Sequence, residues 1–235
     1  MLNKNILIIG GTRGIGRATA ELLNHLGANV TVIARNRPES SLTDGIDLIL
    51  KDVVNSEIAE ADIPEVIDGL VYCPGTINLK PFKSISEQQY QDEFQINALG
   101  AVKVIKSALK GLKKSTKAPG IVLFSTVAVS QGMPFHASIA MAKGAVEGLT
   151  RSLAAELAPF IRVNCIAPSL TNTSLAEKLL ASPERTDAAA GRHPLKRIGN
   201  TDEMAAMVRF LLSEEAGWIS GQILHVDGGL SSIRV

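Results

Sequence analysis

The stretch HASIAMAK, residues 136–143, holds two side chains that can handle protons: the imidazole of His136 and, seven positions later, the ammonium of Lys143. Seven residues is close to two helical turns, so a helix already formed at 136 projects both from one face toward a common site. Histidine is the side chain most easily poised for proton transfer near neutral pH. The other reading of His136 is a helix cap or a loop residue facing solvent.

A second chemistry is written in IIGGTRGIGRA, where Gly10, Gly14 and Gly16, with Thr12, Arg13 and Ile15 among them, follow an apolar run and open a helical pattern. Glycines there permit a tight turn, let backbone N–H groups approach a pyrophosphate, and aim the positive end of a helix at it. The later text VTVIARNRPES bears on which dinucleotide is held. An NAD site needs a carboxylate for the adenosine 2′-hydroxyl, whereas a 2′-phosphate is repelled by a carboxylate and held by arginine. The expected acidic position is Ala34, followed by Arg35, with Arg13 reaching from the glycine loop. The pattern predicts NADP(H), with NAD(H) disfavoured.

The elements that must position these groups are short apolar runs alternating with helical stretches. NILIIG, NVTVIA, DLIL, GLVY, GIVLFS, IRVNCI and QILHV read as strands, and 15–26, 86–113, 138–158 and 201–213 as amphipathic helices. Continuous apolar strands between helices imply a doubly wound parallel α/β sheet of Rossmann type, about seven strands with helices on both faces. The length suits one domain over 1–235. The long polar stretch 168–200, marked by Pro and Gly, reads as a lid over a ligand, because long loops in compact domains tend to be functional. Lys103, Lys106, Lys110, Lys113 and Lys117 recur opposite Val104, Ile105, Ala108, Leu109 and Leu112, the pattern of a solvated helix face.

A formal net charge of +1 gives no bulk attraction to nucleic acid or membranes, so the expected partner is a small molecule. No apolar run approaches the ~20 residues that cross a bilayer, and the start MLNKNILIIGG lacks a signal-peptide pattern, so a cytoplasmic location is expected. Cys73 and Cys165 lie in apolar strand text and read as reduced buried thiols; no metal site is expected.

The spacing Gly-x-x-x-Gly-x-Gly resembles that of the short-chain dehydrogenase/reductase family, and the resemblance runs along nearly the whole chain. KDVV resembles the family's adenine contact, at Asp52 and Val53. FQINALGAV carries its helical asparagine, Asn97. IRVNCIAPSLTNT carries its Pro168 and Thr173, and HPLKRIGN through HVDGG follows its C-terminal region. Three departures stand out. The motif after the fourth apolar run reads YCPG, which keeps Gly75 for close approach to the cofactor and loses the asparagines. Ser169 replaces the usual glycine after Pro168. The Ser–Tyr–Lys centre reads Thr126, Ile139, Lys143.

The missing tyrosine cannot be restored by sliding the alignment, since the only tyrosines are Tyr72 and Tyr90. The resemblance implies that Lys143 holds the nicotinamide ribose, that Thr126 orients a substrate oxygen, and that Asn97 both shapes its helix and serves the site. Thr126 and Lys143 can still polarise a carbonyl. His136 then gains interest as the substitute donor, because a proton-active residue, six others and a lysine resembles the spacing in the family's enoyl-reductase branch, where that residue is tyrosine. Two functions fit: an NADP-dependent oxidoreductase for a carbonyl or conjugated enone with non-standard proton delivery, and an NADP(H)-binding protein without redox turnover. Retention of Asn97, Thr126 and Lys143 together favours the enzyme. The resemblance also implies a homodimer or homotetramer.

Overall fold

The computed structural model describes residues 1–234. All seven apolar runs form strands: β1 (Asn5–Ile9), β2 (Asn29–Ala34), β3 (Ile46–Leu50), β4 (Gly69–Tyr72), β5 (Gly120–Phe124), β6 (Arg162–Pro168) and β7 (Ile223–Val226). They pair in parallel in the order β3-β2-β1-β4-β5-β6-β7. The order reverses beside β1, where β2 lies on one flank and β4 on the other, and a doubly wound sheet opens its ligand crevice at such a point.

Both faces of the sheet are covered, which is why its strands are apolar without alternation. On β1, Leu7 and Ile9 join the core that includes Val104, Leu112 and Val146, while Ile6 and Ile8 join the opposite core with Leu23, Val30 and Val208. Helices α1 (Gly14–His25) and α7 (Thr201–Leu212) cover the second face. Helices α3 (Gly100–Lys114) and α5 (Ala137–Leu157) cover the first. The short α2 (Glu87–Phe94) packs on α5, and α4 (Val127–Ser130) is a single turn after β5.

Three local features differ from the sequence expectation. The stretch 86–113 is interrupted by a π turn at Gln95–Leu99 between α2 and α3. Asn97 Nδ2 donates to the Glu93 carbonyl at 2.8 Å, and the Tyr72 hydroxyl donates to the Ile96 carbonyl at 2.6 Å, so side chains satisfy backbone groups where the ladder widens. The polar stretch 168–200 is not irregular. It contains a 3₁₀ turn at Ser174–Leu179, capped by Thr173, and α6 (Pro183–Arg192), capped by Ser182 with proline in the first turn. Exposure of these short helices leaves them without a strong apolar stripe to read. Finally, His136 is the residue before the first turn of α5 and lies outside the helix.

The lysine face is solvated: Lys103 and Lys106 are exposed, and Lys110 pairs with Glu60 at 2.9 Å. Both cysteines are free thiols. Among the described residues no helix is long and apolar enough to cross a membrane, and no His, Cys, Asp and Glu cluster is placed to hold a metal.

Candidate active site

The glycine turn is fixed by contacts that no other residue allows. Gly10 has φ +78°, and a carbon added to it would lie 3.2 Å from the Pro74 ring. A carbon on Gly16 would lie 2.3 Å from the Gly10 carbonyl oxygen, so only glycine lets the start of α1 press against the end of β1. Arg13, which precedes α1, makes no side-chain cap, and the first turn carries no acidic residue. The leading N–H groups of a 12-residue helix are thus left to an anion.

These residues form one wall of a cleft of about 460 Å³ that also takes in Ala34, Arg35, Asp52 and Val53. Gly75 and Thr173 line it as well. Burial alone would raise the Asp52 carboxyl, but hydrogen bonds from the Val54 N–H and from Asn55, with the Arg35 charge behind them, hold it below its ordinary range.

A second cavity, of about 380 Å³, adjoins the first through Ile15, Gly75 and Thr173. Thr126, His136, Ile139, Lys143 and Pro168 line it, and most of the remaining wall is apolar, including Leu79, Phe124, Met133 and Leu179. Lys143 is buried, and loss of hydration lowers its ammonium to about 8, against partial support from the Cys165, Cys73 and Glu93 side chains. The Thr126 oxygen accepts from the Ala128 N–H at 3.3 Å, which leaves its hydroxyl proton free to point elsewhere. Ile139 is 5% exposed, with no polar atom to offer the cavity.

Asn97 does not line this cavity. It stands behind the wall, with Nδ2 also 3.0 Å from Thr76 Oγ1, and Thr76 is the residue that reaches the surface. Asn97 Oδ1 is buried without a partner. His136 Nδ1 is 2.7 Å from the Pro134 carbonyl oxygen, which therefore accepts, and the ring is half-buried. Neither tyrosine reaches the cavity: Tyr72 is tied to the π turn, and the Tyr90 hydroxyl is buried without a partner.

A model described as enoyl-(acyl carrier protein) reductase matches residues 10–231, which span both clefts. The chain belongs to the short-chain dehydrogenase/reductase family. A tropinone reductase homolog of Arabidopsis thaliana is 33% identical over 98% of this chain and 93% of its own length. Human L-xylulose reductase is 28% identical over 97% of each chain. Among solved structures, ligand-free aldohexose dehydrogenase of Thermoplasma acidophilum superposes with a TM-score of 0.91 at 31% identity, covering 100% of this chain and 97% of that one. A putative 2-deoxy-D-gluconate 3-dehydrogenase of Agrobacterium tumefaciens with bound NADP gives 0.90 at 29% identity, over 99% and 98%.

For a short-chain dehydrogenase/reductase, an NAD(P)-dependent oxidoreductase by family, the arrangement is economical: one cleft suited to a dinucleotide and one cavity suited to a small molecule share a wall. The sequence picked out half of that shared wall: Ile15, Gly75 and Thr173. It missed Cys73 and Thr76 at the junction, Leu175 on the 3₁₀ turn, and above all the pairing of Ser169 with His193. Ser169 was visible as a departure from glycine. His193 carried no signal, because its partner is 24 residues away.

Proposed function

We propose that the protein is an NADP(H)-dependent reductase of a carbonyl or conjugated enone, with a proton donor other than tyrosine. The observation that carries this is the placement of Thr126 and Lys143 on one mostly apolar cavity that opens into the glycine-lined cleft. The residues fit the cofactor: side chains are excluded where the pyrophosphate approaches, α1 offers uncapped N–H groups, and Gly75 leaves bare the spot beside the unpartnered Asn97 Oδ1 and Lys143. Bound there, it would supply hydride to a substrate carbon.

Each residue has a task in this reading. Arg13 and Arg35 take the 2′-phosphate, Asp52 and Val53 the adenine, and Gly10, Thr12, Gly14, Ile15 and Gly16 the pyrophosphate side. Lys143 holds the nicotinamide ribose, Pro168 and Thr173 flank the nicotinamide, and Asn97 steadies the lysine environment. Thr126 donates its free hydroxyl proton as a hydrogen bond to the substrate oxygen. With Ile139 in place of a tyrosine, the transferable proton comes from elsewhere on the wall: from His136, seven residues before Lys143, or from an alcohol–imidazole pair considered below. In an enone the hydride goes to carbon, and the enolate oxygen needs stabilisation more than immediate protonation, which suits a site rich in donors and poor in strong acids. The apolar walls favour a substrate with hydrocarbon bulk around its oxo group.

Residues 168–200 form the lid side of the cavity through Leu175, Ala176 and Leu179. The protein is taken as a single cytoplasmic domain working as a dimer or tetramer. Assembly is supported by a stripe on α5, with Met141 50% exposed and Ala145, Leu149 and Leu153 half-buried. A second reading, an NADP(H)-binding protein without turnover, rests on Ile139. NADPH consumption with L-xylulose, tropinone, an acetoacetyl thioester and 2-cyclohexenone separates the two. Turnover of at least one supports the reductase; tight NADPH binding without consumption of any supports the binder.

A further inference from the structure

Ser169 and His193 have a geometry that the assignments above leave unused. Ser169 Oγ is 2.8 Å from His193 Nε2, and His193 Nδ1 is 2.8 Å from the carbonyl oxygen of Ala189. A carbonyl only accepts, so Nδ1 carries a hydrogen and Nε2 is left to exchange a proton with Ser169. His193 is 3% exposed and immediately follows α6, while Ser169 follows the last residue of β6. Both line the cavity that holds Thr126 and Lys143. Both also line a third cleft on their other side, whose wall includes Glu203, His225 and Asp227. The pair is therefore a partition between the substrate cavity and a polar recess.

We propose that Ser169 and His193 form a proton relay to the substrate oxygen, a proposal that rests on the reductase reading above. The relay starts with both ring nitrogens of His193 protonated. As a substrate carbon receives hydride from the reduced nicotinamide, the Ser169 Oγ–H bond breaks and its proton bonds to the substrate oxygen. Ser169 Oγ takes the Nε2 proton of His193, leaving a neutral ring with its hydrogen on Nδ1, and one H⁺ from bulk solvent, passed along the recess, restores Nε2–H. A serine hydroxyl alone is too weak an acid for this. With the imidazolium behind it, the proton lost overall is that of a histidine.

This pair is better held than His136. A general acid must sit within about 2.6–3.2 Å of its partner, and the Ser169–His193 contact meets that in a buried setting. His136 precedes α5, has one nitrogen engaged by Pro134, and is open enough for water to compete. The recess gives the relay a route to solvent that does not cross the cofactor.

The test compares Ser169→Ala, Ser169→Gly, His193→Gln and His136→Ala with wild type on whichever of the four probe substrates it consumes. The relay requires a 10- to 100-fold loss of kcat in the Ser169 and His193 variants, with no added loss when they are combined and NADPH affinity within twofold by fluorescence titration. Nitrogen-15 NMR of the free protein supplies a readout without turnover. It should show His193 hydrogen on Nδ1 at high pH, with an Nε2 resonance that shifts in Ser169→Ala. Ser169→Ala and Ser169→Gly remove few atoms, so they keep the test open if His193→Gln fails to fold. Undiminished turnover in both Ser169 variants, a neutral ring protonated on Nε2, or a loss confined to His136→Ala overturns the relay and leaves the reductase reading standing. Wild-type protein that binds NADPH and consumes it with no probe overturns the reductase reading, and the relay with it.

Discussion

Asn97 Oδ1 and Lys143 Nζ both face the bare α-carbon of Gly75: a side chain begun there would place its first carbon 3.3 Å from one and 3.5 Å from the other. One is a buried acceptor without a partner, and the other an ammonium short of hydration. Both are costly to leave unsatisfied. They meet beside Gly75, which lines both the glycine-lined cleft and the apolar cavity; Lys143 lines that cavity, where a ligand's hydroxyls would satisfy it, and Asn97 stands just behind the wall.

Gly75→Ala tests that convergence. The glycine has no positive φ, so alanine is tolerated by the backbone and intrudes only on the two polar atoms. NADPH affinity should fall at least tenfold in a fluorescence titration, while the melting temperature stays within a few degrees. A variant that binds NADPH like wild type would show that the cofactor does not need the space beside Gly75.

Lys143→Met should raise stability while it lowers binding. Burial holds the folded ammonium at about 8, below the 10.5 of the unfolded chain, so the unfolded state binds more protons between those values and stability rises with pH across that window. Below it the full penalty is present, roughly 3 kcal/mol for a shift of that size. The variant should therefore melt higher than wild type at pH 7 without cofactor, with the gap closing above pH 10. Its NADPH affinity should drop tenfold or more, and wild-type affinity should itself weaken as pH rises through about 8. An unchanged melting temperature at pH 7 would place compensating charge near Lys143.

The fold and the glycine-lined cleft were legible because both are written in local pattern. Each apolar run became a strand, and the glycine spacing needs only one turn of chain to act. What escaped depends on residues distant in sequence or on backbone a propensity cannot see. The π turn follows from Tyr72 meeting Ile96, 24 residues on. The expected helix start at His136 misses by a single residue, since the chain enters α5 only at Ala137, although His136 and Lys143 still line one cavity. Such boundaries turn on cap geometry, and here the His136 ring bonds backward to Pro134 and caps nothing.

Arg35→Ala addresses cofactor choice. Ala34 ends β2 without a carboxylate, and Arg35 and Arg13 line the same cleft. Two charge-assisted contacts to one phosphate should together exceed about 1.4 kcal/mol, the equivalent of a tenfold preference for NADPH over NADH. The preference should shrink severalfold in Arg35→Ala and in high salt. Equal affinities in wild type would mean that neither guanidinium meets the phosphate.

The stripe of Met141, Ala145, Leu149 and Leu153 along α5 should bury itself against a second copy. Sedimentation at micromolar concentration is expected to give a mass at least twice 24.9 kDa. Met141→Glu with Leu149→Glu should shift it toward the monomer. A wild-type monomer would leave that stripe to some other role.

Ile139→Tyr installs an acidic hydroxyl on the first turn of α5, one turn before Lys143 and on the cavity shared with Thr126. Isoleucine is buried there, and a larger side chain in a packed site costs roughly 1–3 kcal/mol. Here the ring has somewhere to go, because Ile139 borders a cavity of about 380 Å³. The nearby ammonium favours a phenolate, so the new group can give up its proton more readily than a free tyrosine. A positioned general acid is worth about 10²–10⁴ in rate. If proton delivery limits ketone reduction in this protein, the variant should reduce ketones at least tenfold faster with little change in NADPH affinity. Enone reduction should gain less, because its enolate can wait for a proton. A variant that folds, binds NADPH and gains nothing on ketones would show that the existing donor already keeps pace with hydride transfer.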